Sequence, residues 1–367
     1  MAEELRSYFS VEYVDFLAET LKSEVNLPVS EFTAYCLSDP WTDMALKERM
    51  ARLTDAMVMF LPSDANEGTE ILKRILPKIS GDAFKFADML NMFVPDYVVR
   101  RKDDLTLDAA LDALVFFTHH GTSSEFAIRP FILEQTEPVM AAMQGYASHK
   151  HQDVRRFASE GCRPRLPWSM ALPAFKKDPA LVLPILEALR ADESKFVQKS
   201  VANNLNDIAK DNPDIVLEFA EKWLGTHVNT NWIVRHGLRT LLKQGEPRAL
   251  AFFGASPIEL QNSELELSHQ NLDFGGSLTF NFDAQIVGKL PDNLRIEYAI
   301  DFMKSNGKCA RKVFKISEIK PSKREISLKK FHKFIDYSTR KHYGGVHSVA
   351  VIVNGQEVIQ KEFELIK

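Results

Sequence analysis

The sequence predicts a mainly α protein: a HEAT-like helical-repeat solenoid followed by a C-terminal immunoglobulin-like β-sandwich. Three observations predict it. Up to about residue 252 apolar residues recur at three- and four-residue steps; a short motif returns about every forty residues within that region; and from about residue 257 the apolar period changes to two.

The helical period is plain in Leu107, Ala110, Leu111, Leu114 and Val115, and again in Val182, Ile185, Leu186 and Leu189, so each segment carries one apolar stripe. Turn residues separate such segments at Asp178-Pro179, Asp211-Asn212-Pro213 and Gly245-Glu246-Pro247. The repeat is carried by Val154-Arg155-Arg156, Val197-Gln198-Lys199 and Val234-Arg235, an apolar residue followed closely by a base, at intervals of 43 and 37 residues. In a stack of helix pairs each pair buries its apolar face against its neighbours, and the repeated bases line one groove. A non-repetitive helical bundle is the alternative.

In the second region Leu278, Phe280 and Phe282 alternate with Ser277, Thr279, Asn281 and Asp283, and Leu294, Ile296 and Tyr298 alternate with Arg295 and Glu297. Asn354-Gly355 after an almost continuous apolar run is a two-residue hairpin signal. About seven short strands fit an immunoglobulin-like sandwich. Cys309 is its single cysteine, so it has no inter-sheet disulfide. The expected domains are residues 1–252, helical, and 257–367, the sandwich.

Over 367 residues the net charge is −4, yet the charge is unevenly spread. Residues 145–177 carry +5 and residues 308–341 carry +9, which leaves −18 for the rest. Two basic patches on an acidic body suit a phosphate-backbone binder, since each neutralised phosphate releases counterions; a merely solvated basic surface is the plain alternative. The acidic opening, the lack of an apolar run of about 20 residues and three isolated cysteines point to the cytoplasm, away from membranes and disulfide scaffolds. The histidine pairs 119/120 and 149/151 are expected to diverge on their helices, so neither metal nor cofactor is expected.

Arg155 to Trp168 is the segment densest in chemistry. Arg156 and Glu160 are four apart on one helix face, Gly161 is suited to ending that helix, and Pro164 and Pro167 stiffen the loop that follows. An indole fixed beside a carboxylate and ringed by arginines suits a planar cation flanked by phosphates. A surface ion pair, a capped helix and a core tryptophan would read the same way.

The run Arg-Arg-Phe-Ala-Ser-Glu-Gly-Cys-Arg-Pro-Arg-Leu-Pro-Trp at 155–168, with Ser-Ser-Glu-Phe-Ala-Ile-Arg-Pro-Phe at 123–131 and Lys-Ser-Val-Ala-Asn-Asn-Leu-Asn-Asp at 199–207, resembles the AlkC branch of the HEAT-like alkylpurine DNA glycosylases. The resemblance covers the whole chain, including a sandwich that the related AlkD branch lacks. It implies a monofunctional glycosylase of base excision repair that hydrolyses the N-glycosidic bond of N3-alkylated bases, 3-methyladenine and 3-methylcytosine, in double-stranded DNA. It places the active-site positions on Glu125, Glu160, Trp168 and Asp207. Phosphate contacts are expected by repeat position at Arg156, Arg163, Arg165, Lys199 and Arg235. In the sandwich the +9 stretch singles out Lys329, Lys330 and Lys333, with loops as a second hand on the duplex. A monomer is expected.

Other roles stay open on the residues alone. Asn203, Asn204, Asn206 and Asp207 crowd one helix despite poor propensity, which suits capping or inter-repeat hydrogen bonds. Glu125, opening a helix after Ser123-Ser124, suits a first-turn stabiliser. A non-enzymatic HEAT scaffold that binds nucleic acid or protein is the alternative function.

Overall fold

The computed structural model describes residues 5–81, 84–337 and 340–367. Its helices end at Ala251 and its strands begin at Leu260, where the apolar period changes. The chain divides into two compact units, residues 1–212 with 223–237, and residues 213–222 with 238–367. The last helices before the strands therefore group with the sandwich. Among the described residues no helix is long and apolar enough to cross a membrane.

In the first unit the helices Ala65–Ile79, Leu107–His120, Gln152–Gly161, Lys195–Ile208 and Val228–Gly237 lie side by side in chain order, the arrangement of a HEAT-like stack. The repeat motif sets their register: Val154, Val197 and Val234 are all buried. Polar groups tie neighbouring helices together. Ser159 Oγ meets Ser200 Oγ at 2.6 Å, and Asn204 Nδ2 donates to the Ser159 carbonyl at 2.8 Å. Asn204 thus serves the inter-repeat role that its poor helix propensity suggested.

Gly161 does not end its helix through a left-handed turn. It is the last helical residue, followed by Cys162, and a Cβ there would lie 2.7 Å from Ile128 Cγ2 and 3.0 Å from Met143 Cε. The glycine is required by close packing, which sequence alone presents identically to a capping glycine.

The second unit holds two sheets, ordered β1-β3-β6 and β2-β8-β7-β4-β5, where β1 is Leu260–Leu267, β2 Asn271–Asp273, β3 Ser277–Ile286, β4 Leu294–Met303, β5 Cys309–Ile319, β6 Glu325–Lys333, β7 Gly345–Val353 and β8 Gln356–Ile366. This is an immunoglobulin-like arrangement of eight strands, one more than the period suggests, the extra one being the three-residue β2 parallel to β8. Leu278, Phe280, Phe282, Ile296, Tyr298 and Ile300 form the core with Val349 and Val351. Asn354 and Gly355, at φ 45° and 80°, make the β7–β8 turn in the left-handed conformation that Asn-Gly accepts. Arg295 and Glu297 do not face water as their alternation suggests. Both are buried, paired at 2.5 Å, because Ala299, Ala350 and Ile352 form a second apolar cluster on that face.

The sandwich core also holds His332, His342 and His347 among Phe302 and Phe334. Burial pushes His332 down to about 4 and lowers His342 and His347, with Arg340 adding to the effect on the first two. The unfolded chain therefore binds more protons than the folded one between the ordinary histidine value, about 6.5, and about 4. Stability is expected to fall as pH drops through that window. Calorimetric unfolding at pH 7 and pH 4.5 measures it; His332→Phe should flatten the dependence, and a sandwich transition indifferent to pH there would contradict the assignment.

Candidate active site

Glu125 lies in a turn ahead of the Ile128–Glu134 helix, so it is no first-turn helix residue. It is 3% exposed, and its Oε1 accepts from Arg156 Nη1 of the Gln152–Gly161 helix. Arg156 reaches Glu160 Oε1 more loosely, at 3.8 Å. Glu160 has a nearer partner in Arg163 Nη1 at 2.6 Å. Arg163 in turn donates through Nε to Asp207 Oδ2 at 2.9 Å, its Nη2 lies 2.9 Å from the same oxygen, and Lys210 Nζ meets Asp207 Oδ1 at 3.0 Å. Glu125, Glu160 and Asp207, from three places 82 residues apart at their extremes, are thus joined in one ion-pair chain.

The chain is half-sequestered. Burial raises the Glu125 carboxyl above the ordinary range despite Arg156 beside it, while Glu160 and Asp153 push the same way. Its Oε2 is buried with no hydrogen-bond partner. A cavity of about 140 Å³ opens beside it, lined in part by Ser123, Asp153, Arg156 and Phe196. The Phe196 ring lies 4.2 Å from the Arg156 guanidinium, a cation–π contact that fixes it from the other side. Burial alone would lower Arg163, but Glu160 and Asp207 flanking it raise it. A carboxyl raised by burial at a cavity is the environment of a proton-accepting group.

Trp168 is not part of this chain. It sits on the loop after Gly161, 61% exposed, and lines a small apolar cavity of about 50 Å³ with Phe9, Met50, Met89, Met92 and Phe126. Phe126 follows Glu125 directly, so the two cavities meet the same turn. Trp168 adopts φ 64°, a conformation that costs a bulky residue about 1–3 kcal/mol and persists where surrounding contacts enforce it. Two side chains, Lys47 and Arg129, supply such contacts. Lys47 Nζ donates to the Trp168 carbonyl, and Arg129, fully buried, donates to the carbonyls of Gly161, Arg163 and Met170 at 2.8, 2.9 and 2.7 Å. Arg129 stands in the apolar stretch Ala-Ile-Arg-Pro-Phe-Ile at 127–132, and a base in such a stretch is the signal of a buried partner.

The expected phosphate contacts fare differently. The Arg163 guanidinium is buried and paired with Glu160 and Asp207, which makes it the hub of the ion-pair chain. Arg156 is likewise spent on Glu125, Glu160 and Phe196. Arg165 is half-buried and paired with Asp211 at 2.6 Å. Lys199 is exposed and Arg235 half-buried on their helices. In the sandwich the bases of this stretch divide equally between β5 and β6, the edge strands of the two sheets, and the segments that flank them. Strand alternation splits the lysine trio: Lys329 and Lys333 point outward with Phe331, whereas Lys330 shares the inner face of Ile326, Leu328 and His332. Lysines on edge strands also discourage edge pairing with other chains.

Nor do the paired histidines diverge. Helix packing brings the rings of His119 and His151 to 4.1 Å between centroids, with His149 at 6.3 Å and His120 at 4.5 Å from His119. Among the described residues no group of three or more His, Cys, Asp or Glu is arranged to hold a metal ion.

Residues 123–241, which contain all four candidate positions, match the family model described as DNA alkylation repair enzyme, and residues 261–367 match that of the C-terminal Ig-like domain of the uncharacterised protein YhaZ. The chain is 39% identical over 365 residues to the uncharacterized protein YhaZ of Bacillus subtilis (strain 168), with 99% of each covered. It is 34% identical to the Pseudomonas fluorescens alkylpurine DNA glycosylase AlkC, solved bound to DNA containing an abasic site analog, with 99% of each chain covered and a TM-score of 0.90. A helical stack bearing the buried carboxylates and an immunoglobulin-like sandwich, matched end to end at this identity, place the chain in the AlkC branch of the DNA alkylation repair enzyme family.

Proposed function

We propose that this protein is a DNA glycosylase of base excision repair that removes cationic N3-alkylated bases, 3-methyladenine and 3-methylcytosine, from duplex DNA. The observation that carries this reading is the ion-pair chain that holds Glu125, Glu160 and Asp207 together in a chain alike over its whole length to an alkylpurine DNA glycosylase.

The chemistry needs little more than placed negative charge. A base methylated at N3 is already positive, so it leaves without being protonated. As the N-glycosidic bond breaks, its electron pair goes to the base and neutralises it, and C1′ of the deoxyribose takes up the positive charge. Carboxylates near C1′ lower the energy of that oxocarbenium-like state. Water then adds its oxygen to C1′ and gives a proton to a carboxylate. Glu125 suits the proton acceptor, with one oxygen free of partners and its carboxyl raised by burial, while Glu160 and Asp207 supply fixed charge. Trp168 faces the cationic base or sugar in this reading, an attraction of about 0.5–2 kcal/mol that a neutral base lacks. Lys199 and Arg235 on the helical stack, and Lys329 and Lys333 on the sandwich, are the proposed backbone contacts.

The test is single-turnover release of 3-methyladenine and 3-methylcytosine from defined duplex oligonucleotides by purified protein in EDTA. Release by the native chain and loss of release in Glu125→Gln support the reading. Binding to the same duplex with no base released would overturn it in favour of a non-enzymatic scaffold.

A further inference from the structure

The loop between Glu160 and Trp168 is tied down from two sides in a way the ion-pair chain does not require. Arg129 is a fully buried base whose three hydrogen bonds all go to carbonyl oxygens and none to a carboxylate. Burying a cation in this manner is costly, and the negative end of the Gln152–Gly161 helix, whose last carbonyl it takes, offsets part of that cost. The carbonyls it gathers lie at both ends of one loop: Gly161 and Arg163 at the start, Met170 beyond Trp168. A guanidinium presents its N–H groups in a rigid plane and spans such a set; an ammonium is a single point that cannot. From the outside Lys47 donates to the Trp168 carbonyl, and its Nζ lies 5.4 Å from the ring of Phe126, beside Glu125.

We propose that Arg129 and Lys47 are positioning residues that clamp the Gly161–Met170 loop and so hold Trp168 in register with Glu125, Glu160 and Asp207. The inference rests on the reading above that Trp168 faces the reacting nucleotide. Between the two ties Trp168 keeps a left-handed backbone that an unrestrained loop would abandon. Neither clamp residue touches DNA in this scheme. Their loss therefore slows excision without weakening binding to abasic DNA.

The experiment uses the full chain labelled with 5-fluorotryptophan, in which the fluorine resonance of Trp168 is assigned by its disappearance in Trp168→Phe. In Arg129→Lys and in Lys47→Met the Trp168 resonance is expected to shift or broaden while those of Trp41, Trp223 and Trp232 hold. Single-turnover excision should fall at least tenfold in Arg129→Lys and about threefold in Lys47→Met, with affinity for abasic duplex within threefold of native. Lys47 is exposed, so its variant decides the matter even where Arg129→Lys fails to fold. An unmoved Trp168 resonance overturns the clamp whatever the excision rate, and a moved resonance with native excision overturns its role in positioning. If the native protein releases no base, the functional reading has failed, and the fluorine spectra still decide whether the clamp exists.

Discussion

Asp207→Asn is expected to lower single-turnover excision by about 10²–10³-fold while leaving affinity for abasic duplex nearly unchanged. The substitution keeps the shape of the side chain and removes its charge. Asp207 Oδ2 accepts a hydrogen bond from Arg163 Nε and forms an ion pair with its Nη2, and Oδ1 meets Lys210, so the carboxylate is held where only its charge distinguishes it from the amide. Because Arg163 keeps Glu160, the stability cost should stay near about 1–3 kcal/mol. A rate within threefold of native would return Asp207 to the structural role that its asparagine-rich helix suggests. Asn204 shows what that role looks like, since its amide is spent on the Ser159 carbonyl of the neighbouring helix.

Arg163→Met is expected to destabilise the protein by about 3–5 kcal/mol, the largest stability effect of any single change at the site. Two buried carboxylates, Glu160 and Asp207, lose the cation they share, and what remains to them is Arg156 at 3.8 Å and the partly exposed Lys210. Methionine fills much of the space, so the loss is electrostatic more than steric. Urea unfolding followed by circular dichroism reads it as a lower midpoint with an unchanged slope. Glu160→Gln in the same background removes one stranded charge and should recover part of the loss, a coupling that a double-mutant cycle isolates. An Arg163→Met midpoint equal to native would mean that Arg163 lies outside the ion-pair chain in solution.

The architecture was largely legible. Two periods, 3.6 and 2, are local properties of the chain, and the residues that carry them, Val154, Val197 and Val234 in the helices and Phe280 and Phe282 in the strands, are those that the fold buries. Asn354-Gly355 likewise turns where it stands, since both residue types accept the left-handed conformation that a two-residue hairpin turn requires. The four candidate positions rest on a motif resemblance, and the structure joins three of them, Glu125, Glu160 and Asp207, in one ion-pair chain. What misled was always a second, non-local fact. The Arg295–Glu297 pair looked outward because alternation says so, yet a second apolar cluster covers that face. Lys329, Lys330 and Lys333 are neighbours in sequence, and the pleat sends Lys330 to the other side.

By itself the sequence determined the class of each half and the presence of carboxylates beside arginines, because propensity, period and turn chemistry act over a few residues. Tertiary structure alone decided which charges meet. Arg163 became an interior hub, Glu125 a carboxyl raised by burial, and Arg129 the tie on the tryptophan loop, because ion pairing and desolvation depend on distances between residues far apart in the chain.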